Sequence, residues 1–469
     1  MLFSSMTFIY LFLPVVLVLY FVLKPKYRNY VLLLASIIFY AWGEPKYVVI
    51  MFLTILINYF GAILIDKFHK YKAPILITAI ICDLSFLIYF KYFNFIIDNF
   101  NSLFNGSIEP LNIIMPIGIS FYTFQAMSYI IDVYRSEVKV QKNIYKLALF
   151  ICLFPQLIAG PILKYHDVEA QIENRKVDFD KVNIGVKRFI IGLSKKVLIA
   201  NTMGLVADKI FAQNPHCFSH STAWLGAISY SLQLYFDFSG YSDMAIGLGL
   251  ILGFNFMENF NYPYISRSVS EFWRRWHISL STWFKQYVYI PLGGNRGSQL
   301  TTCRNLGVVF LLTGIWHGAS WTFVLWGIWH GLFIIIEKML NIKEYEKQTH
   351  PLWQEILRHI YCIIIFVTGW VIFRADNIKY ACDYLLNMFG LLHVHKKDFV
   401  YSISYYFDNL TIIIMVIAIL CAIPVFKNII KIENKYLKAF VNIWLLFLFF
   451  FSTIKLASDT YNPFIYFRF

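Results

Sequence analysis

Charge is scarce in this chain. Only 14% of its 469 residues are Asp, Glu, Lys or Arg, against roughly 25% in a soluble domain. That leaves too little polar surface for a water-soluble fold of this length. Cysteine is sparse as well. The seven cysteines, Cys82, Cys152, Cys217, Cys303, Cys362, Cys382 and Cys421, are scattered, odd in number and without a C-x-x-C pair. This excludes a disulfide framework and a cysteine-based zinc site. His216 with His220, and His393 with His395, have metal-ligand spacing but no cysteine or carboxylate partners, so no metal is expected. Nothing reads as a soluble domain or a long low-complexity linker.

Apolar residues are abundant, at 59% hydrophobic and 19% aromatic. The runs are long and continuous, which points to membrane-crossing helices rather than barrel strands. The expected class is an all-α polytopic membrane protein, one membrane domain over residues 1–469. The first run, Met6–Leu23, has no basic residues before it and no small-residue cleavage site, so it reads as a retained span.

The net charge is +14, gathered in short loops such as Lys24/Lys26/Arg28, Lys67/Lys70/Lys72 and Lys427/Lys431/Lys435/Lys438. Basic loops of this kind lie on the cytoplasmic side. The excess is therefore read as topology and contact with anionic lipid, not as nucleic-acid binding. The N-terminus then lies outside. The last run, Ala439–Phe451, makes 439–469 an extra span with an exported tail.

One conflict of sidedness appears. If Ala223–Phe238 and Ala245–Phe256 both crossed fully, the basic stretch Arg267–Arg296 would lie outside. One of them is therefore expected to be broken or re-entrant. Irregular backbone at membrane depth is tolerated where protein or a water-filled cavity lines it. Asp237, Ser239, Gly240, Ser242 and Asp243 mark that junction and suggest a polar cavity open to the cytoplasm. Residues 272–290 carry Trp273, Trp276, Leu280, Trp283, Tyr287 and Ile290 at alternating spacings of three and four, an apolar stripe. The expectation is one amphipathic helix in the membrane interface, with Arg274 and Arg275 off the stripe and able to meet phosphates.

The sharpest chemical signal is His317, in Gly314-Ile315-Trp316-His317-Gly318 within the apolar run Val308–Ile336. A titratable group at membrane depth usually faces a cavity and marks function. Imidazole is the cheapest such group to hold there, because it is readily neutral. Gly314 and Gly318 permit close approach of a helix or ligand. His277 lies in Phe272–Trp283 (FWRRWHISLSTW). His330 repeats the Trp-His-Gly context. On one straight helix it would stand about 20 Å from His317, so it reads as structural or interfacial. Asp237 is a candidate for orienting an imidazole or shaping the cavity. Tyr466 sits in the C-terminal Pro463–Phe469, which by charge alone reads as an aromatic anchor.

These segments resemble the membrane-bound O-acyltransferase superfamily, in its bacterial alginate O-acetyltransferase branch. The likeness spans nearly the whole chain. It includes Pro116–Gln125 (PIGISFYTFQ), Ser128–Arg135 (SYIIDVYR), Phe154–Pro161 (FPQLIAGP), Tyr235–Asp243 (YFDFSGYSD), Phe272–Trp283, Ile290–Arg296 (IPLGGNR) and Gly314–Gly331 (GIWHGASWTFVLWGIWHG). The resemblance implies a helical bundle of about a dozen spans around a funnel or tunnel, with re-entrant segments. It makes His317 the catalytic histidine and His277 a supporting one. Acyl donor, here acetyl-CoA as a substrate rather than a bound cofactor, enters from the cytoplasm. The acceptor is an extracytoplasmic polysaccharide, reached through a periplasmic or extracellular partner protein. The sister branch moves D-alanine toward teichoic acids. It uses a companion whose exported tail carries Phe-x-Tyr-x-x-Phe. Phe464-Ile465-Tyr466-Phe467-Arg468-Phe469 fits that pattern, which raises Tyr466 to a candidate acyl relay. The branch's IPLGGNR loop favours acetyl transfer over D-alanyl transfer. A transporter of glycan or lipid is the reading from a different class.

Overall fold

The computed structural model describes residues 1–465 apart from 343–345, 347, 349, 396, 398 and 428–433. Among the described residues the regular structure is entirely helical. The longer helices, in chain order, are α1 (Phe8–Val22), α2 (Arg28–Ala41), α3 (Pro45–Lys67), α4 (His69–Phe104), α5 (Ile119–Tyr134), α6 (Ile144–Cys152), α7 (Tyr165–Glu173), α8 (Phe179–Phe211), α9 (His220–Ile251), α10 (Val269–Arg275), α11 (Ile278–Phe284), α12 (Gln299–His317), α13 (Trp321–Met339), α14 (Leu352–Arg374), α15 (Ile378–Met388), α16 (Asn409–Cys421) and α17 (Lys435–Ser458). Six of them, α3, α4, α8, α13, α14 and α17, are long and apolar enough to cross a membrane, and α1 and α16 are apolar but shorter. The protein is a multi-pass integral membrane protein.

The chain forms two compact units. Unit 1 holds residues Met1–Leu193 and Tyr241–Met257, and unit 2 holds Ser194–Gly240 and Glu258–Phe469. In unit 1, α3 packs on α4 and α5, and α2 on α6. An aromatic core joins Phe3, Phe8, Phe12, Phe39 and Phe154, with Tyr241 stacked on Phe3 at 4.5 Å. In unit 2 the most extensive helix pair is α12 with α13, followed by α13 with α14.

The expected break near residue 240 is absent. Residues 220–251 form one continuous 32-residue helix, α9, about 48 Å long at 1.5 Å per residue. One element stands where a span and a broken or re-entrant segment were expected, so the double crossing that created the sidedness conflict is gone. The polar residues are carried inside protein rather than at a break. Gln233, Asp237, Ser239 and Ser242 are all buried. A helix enclosed by other helices need not be apolar all round. This is also why fewer spans are recognisable by apolarity than the resemblance implied.

The 272–290 stripe departs from expectation in the other direction. It is not one helix. α10 ends at Arg275, His277 takes a left-handed conformation (φ 42°, ψ 54°), α11 follows, and residues Lys285–Tyr289 form a wider π turn. Trp273, Trp276, Leu280 and Trp283 are buried, so the front of the stripe packs into the protein.

The α12–α13 hairpin sets the geometry of unit 2. α12 ends where Gly318 becomes extended, and the Ser320 hydroxyl accepts the Thr322 amide to cap α13. A side chain at Gly318 would strike the Phe323 ring. Gly314 and Gly327 face each other across the hairpin. A Cβ on Gly314 would press on the Phe323 carbonyl and stand 3.2 Å from the Gly327 Cα. Small residues here let the two backbones touch. Gly314→Val should therefore destabilise the folded protein by about 1–3 kcal/mol. A lowered midpoint of thermal unfolding in detergent checks this; an unchanged midpoint would mean that the hairpin does not need the close approach.

Candidate active site

His317 and His277 meet in unit 2 although 39 residues separate them in the chain. His317 is the last residue of α12 and is 6% exposed. Its ring makes T-shaped contacts with Trp316 at 5.0 Å, Trp326 at 4.9 Å and Phe373 at 5.1 Å. The Trp316 ring in turn lies 6.2 Å from that of His277. One indole thus touches both imidazoles. Phe238 of α9 also packs edge-on against His277, at 4.6 Å.

The left-handed backbone at His277 has a local cause. Asn259, wholly buried, organises the turn between α10 and α11. Its carbonyl oxygen accepts the Ile278 amide, and its side-chain oxygen accepts both the amide and the hydroxyl of Ser279. The same side-chain oxygen lies 3.2 Å from His277 Nδ1. An oxygen acceptor at Nδ1 selects the tautomer protonated there and leaves the lone pair on Nε2. Burial pushes the His277 imidazole down to about 3, so it is neutral at physiological pH.

His330 is closer to this site than a straight helix would allow. The reversal at Gly318–Ser320 folds α13 back on α12, and Trp326 touches both His317 and His330, the latter at 5.2 Å. His330 is fully buried between Trp273, Trp326 and Trp370, and a Cβ on Gly369 would come within 2.5 Å of its Nε2. It is a core residue, not an interfacial one.

The other candidates fall in different places. Arg274 is paired with Glu346 at 2.9 Å, and Arg275 with Glu271 of its own helix at 2.8 Å. Arg275 also donates to the Asn261 carbonyl. Burial opposes the charge on Glu271, but the Arg267 amide and the Arg275 guanidinium outweigh it and hold that carboxyl below its ordinary value. Both arginines are thus engaged by carboxylates. Asp243 belongs to unit 1, where it pairs with Arg188 at 2.9 Å. Ser239 is buried in unit 2. Asp237 orients no imidazole. It pairs with Lys196 at 2.7 Å and accepts the Ile465 amide at 2.8 Å. Tyr466 lies outside the described residues.

Sequence reading missed Asn259, Trp326 and Lys196. Asn259 carries no motif signal, and Trp326 lies inside the Gly314–Gly331 motif as one of four tryptophans with nothing to single it out. Lys196 did signal itself, as a lysine inside the apolar run Phe189–Ala207, and such residues are functional or paired by default.

The neutral, buried His277 gives a pH signature. Its folded-state value lies below the ordinary 6.5, so the unfolded chain binds the extra proton. Stability is fully present above about 6.5 and is lost as pH falls toward about 3. His277→Asn, which suits the left-handed backbone, should flatten that part of the stability–pH profile. Thermal unfolding across pH checks it, and equal slopes in the two proteins would remove His277 as the cause.

Comparison with known proteins places this geometry. The sequence model of the family described as MBOAT, membrane-bound O-acyltransferase family, matches residues 35–374. The chain is 47% identical over 389 residues to "Probable alginate O-acetylase AlgI" of Pseudomonas syringae pv. tomato, covering 81% of this chain and 74% of that one. It is 41% identical over 501 aligned positions to the protein of the same name from Pseudomonas putida, covering all of both. It is 36% identical to the "Peptidoglycan O-acetyltransferase" of Helicobacter pylori, over 91% of this chain and 87% of that one. Both histidines of the Trp316 contact lie inside the matched region, and the chain belongs to the membrane-bound O-acyltransferase family as an O-acyltransferase of the alginate O-acetylase branch.

Proposed function

We propose that this protein moves acetyl groups from cytoplasmic acetyl-CoA across the cytoplasmic membrane for O-acetylation of an extracytoplasmic polysaccharide, an alginate-like exopolysaccharide or peptidoglycan. The observation that carries the reading is the convergence of His317 and His277 on Trp316, with further aromatic rings packed on both imidazoles. Similarity to acetylases of two polysaccharide classes supports the choice of acyl group and acceptor.

His317 acts as general base. It takes the proton of an acceptor hydroxyl as that oxygen attacks the thioester carbonyl. The carbon–sulfur bond then breaks, and the coenzyme A thiolate leaves with the proton from the imidazolium. Aromatic walls keep water from competing for the thioester. His277, with its Nδ1 on the Asn259 side-chain oxygen, lies beside the same indole and supports the placement of donor or hydroxyl. Tyr466 supplies the hydroxyl, so the first product is an acetyl-tyrosine ester. A periplasmic or extracellular partner passes the acetyl group from that ester to the glycan.

Two variants test this. His317→Ala should lower acetyl transfer from labelled acetyl-CoA in membranes by about 100- to 10,000-fold, the usual worth of a general base. Unchanged transfer in a correctly inserted variant would end the mechanism. Tyr466→Phe should leave acetyl-CoA binding intact while label disappears from both the C-terminal peptide and the polysaccharide. Retained polysaccharide acetylation would reduce Tyr466 to an anchor.

A further inference from the structure

The segment after α17 does not trail away from unit 2. From Tyr461 to Ile465 it runs as a strap into that unit, and Phe464 and Ile465 are each 3% exposed. Ile465 packs into the apolar core of unit 2, and polar groups from α8 and α9 grip the strap's backbone and side chains. Lys196 Nζ donates to the Pro463 carbonyl and, at 2.8 Å, to the Asn201 side chain. Asn201 donates to the Tyr461 carbonyl at 3.3 Å and to the Asn462 side chain at 3.2 Å. Asp237 accepts the Ile465 amide. The Tyr461 hydroxyl donates to Asp208 at 2.7 Å, and Asp208 is itself paired with Arg374 at 2.9 Å. A Cβ on Gly204 would come within 2.9 Å of the Tyr461 hydroxyl, so the strap passes directly over α8.

The centre of this arrangement is the Lys196–Asp237 pair, with each side chain 2% exposed. Lys196 lies midway along α8, a helix apolar enough to cross a membrane. Placing two opposite charges there is a poor way to gain stability, because desolvation offsets most of the attraction. What the pair does make is a specific backbone grip. The cation holds a strap carbonyl and the anion holds a strap amide two residues further on. That fixes register along the chain as well as position. The next residue after the gripped amide is Tyr466.

We propose that Lys196 and Asp237 form a latch that sets the register of the C-terminal strap at residues 463–465, and that acetyl transfer through the tail depends on that register. They are positioning residues; neither needs to touch donor or acceptor. The inference rests on the relay reading above, and its test separates the two.

The decisive variant is the double substitution Lys196→Met with Asp237→Leu. Either single change strands a buried charge and invites misfolding. Replacing both with apolar residues removes the charges together and is often neutral for stability. The protein is studied full length in membranes with acetyl-CoA, partner and glycan supplied. Hydrogen–deuterium exchange of the peptide covering residues 459–469 reports the strap directly. The expected result is wild-type thermal stability and a KM for acetyl-CoA within about twofold of wild type. Protection of the strap is lost, and kcat for acetyl transfer falls by about a hundredfold, as mispositioning by an ångström does. Wild-type transfer in the double variant, with Tyr466→Phe inactive, overturns the latch and leaves the relay standing. A kcat loss with the strap still protected also overturns it. Wild-type transfer in Tyr466→Phe overturns the relay, and the latch with it, since no acetyl then passes through the tail.

Discussion

The candidate site depends on a chain reversal between two helices. Gly318 to Ser320 turn α12 back into α13, and the two helices touch through Gly314 and Gly327 with no side chain between them. That contact decides which face of α13 meets the end of α12. It brings Trp326 onto His317 and, on the next turn, His330 onto the other side of Trp326. With larger residues at the two glycines the backbones would stand apart, and the aromatic walls would not close round the imidazole. Sparse van der Waals contact between glycines thus governs the placement of large, costly side chains.

Aromatic packing is the second constraint. His277, His317 and His330 are each surrounded by rings from separate helices, among them Phe238, Trp316, Trp326 and Phe373. Rings of this size keep water away and leave few polar partners. A neutral imidazole tolerates that setting and a charged one does not. The Asn259 turn adds what packing alone does not supply, a fixed tautomer and a fixed ring direction at His277. The buried charges follow a different rule. Asp237 and Lys196 are retained with each other and with backbone groups of the C-terminal strap, where every charge meets an opposite one or a hydrogen bond.

Much of this was legible in the residues. Long apolar runs and scarce charge settle an all-helical membrane protein, because only helices or closed barrels satisfy backbone groups in lipid. His317 and His277 stood out, since a titratable side chain in an apolar run is expensive to keep without purpose. The ordered motifs identified the family. Other features were not legible. The continuity of α9 was hidden because Asp237, Ser239 and Ser242 look like a break until the surrounding protein is seen to bury them. The stripe at 272–290 looked like one helix because side-chain periodicity carries no information about a left-handed residue at His277. The pairing of Arg274 with Glu346 and of Arg275 with Glu271 was also hidden, because the carboxylates carry no signal that they pair.

What the chain determines by itself is therefore local and compositional: which segments are apolar helices, which histidines are out of place, and which family the motifs belong to. Tertiary structure decided which of those residues share a site. Asp237 meets the C-terminal strap rather than an imidazole, and His330 packs on the Trp326 that also touches His317, although a straight helix would hold it about 20 Å away. The reason is geometric. Burial, pairing and proximity are properties of helices folded against one another, and a periodic apolar pattern records only that a helix has a face, not what that face will meet.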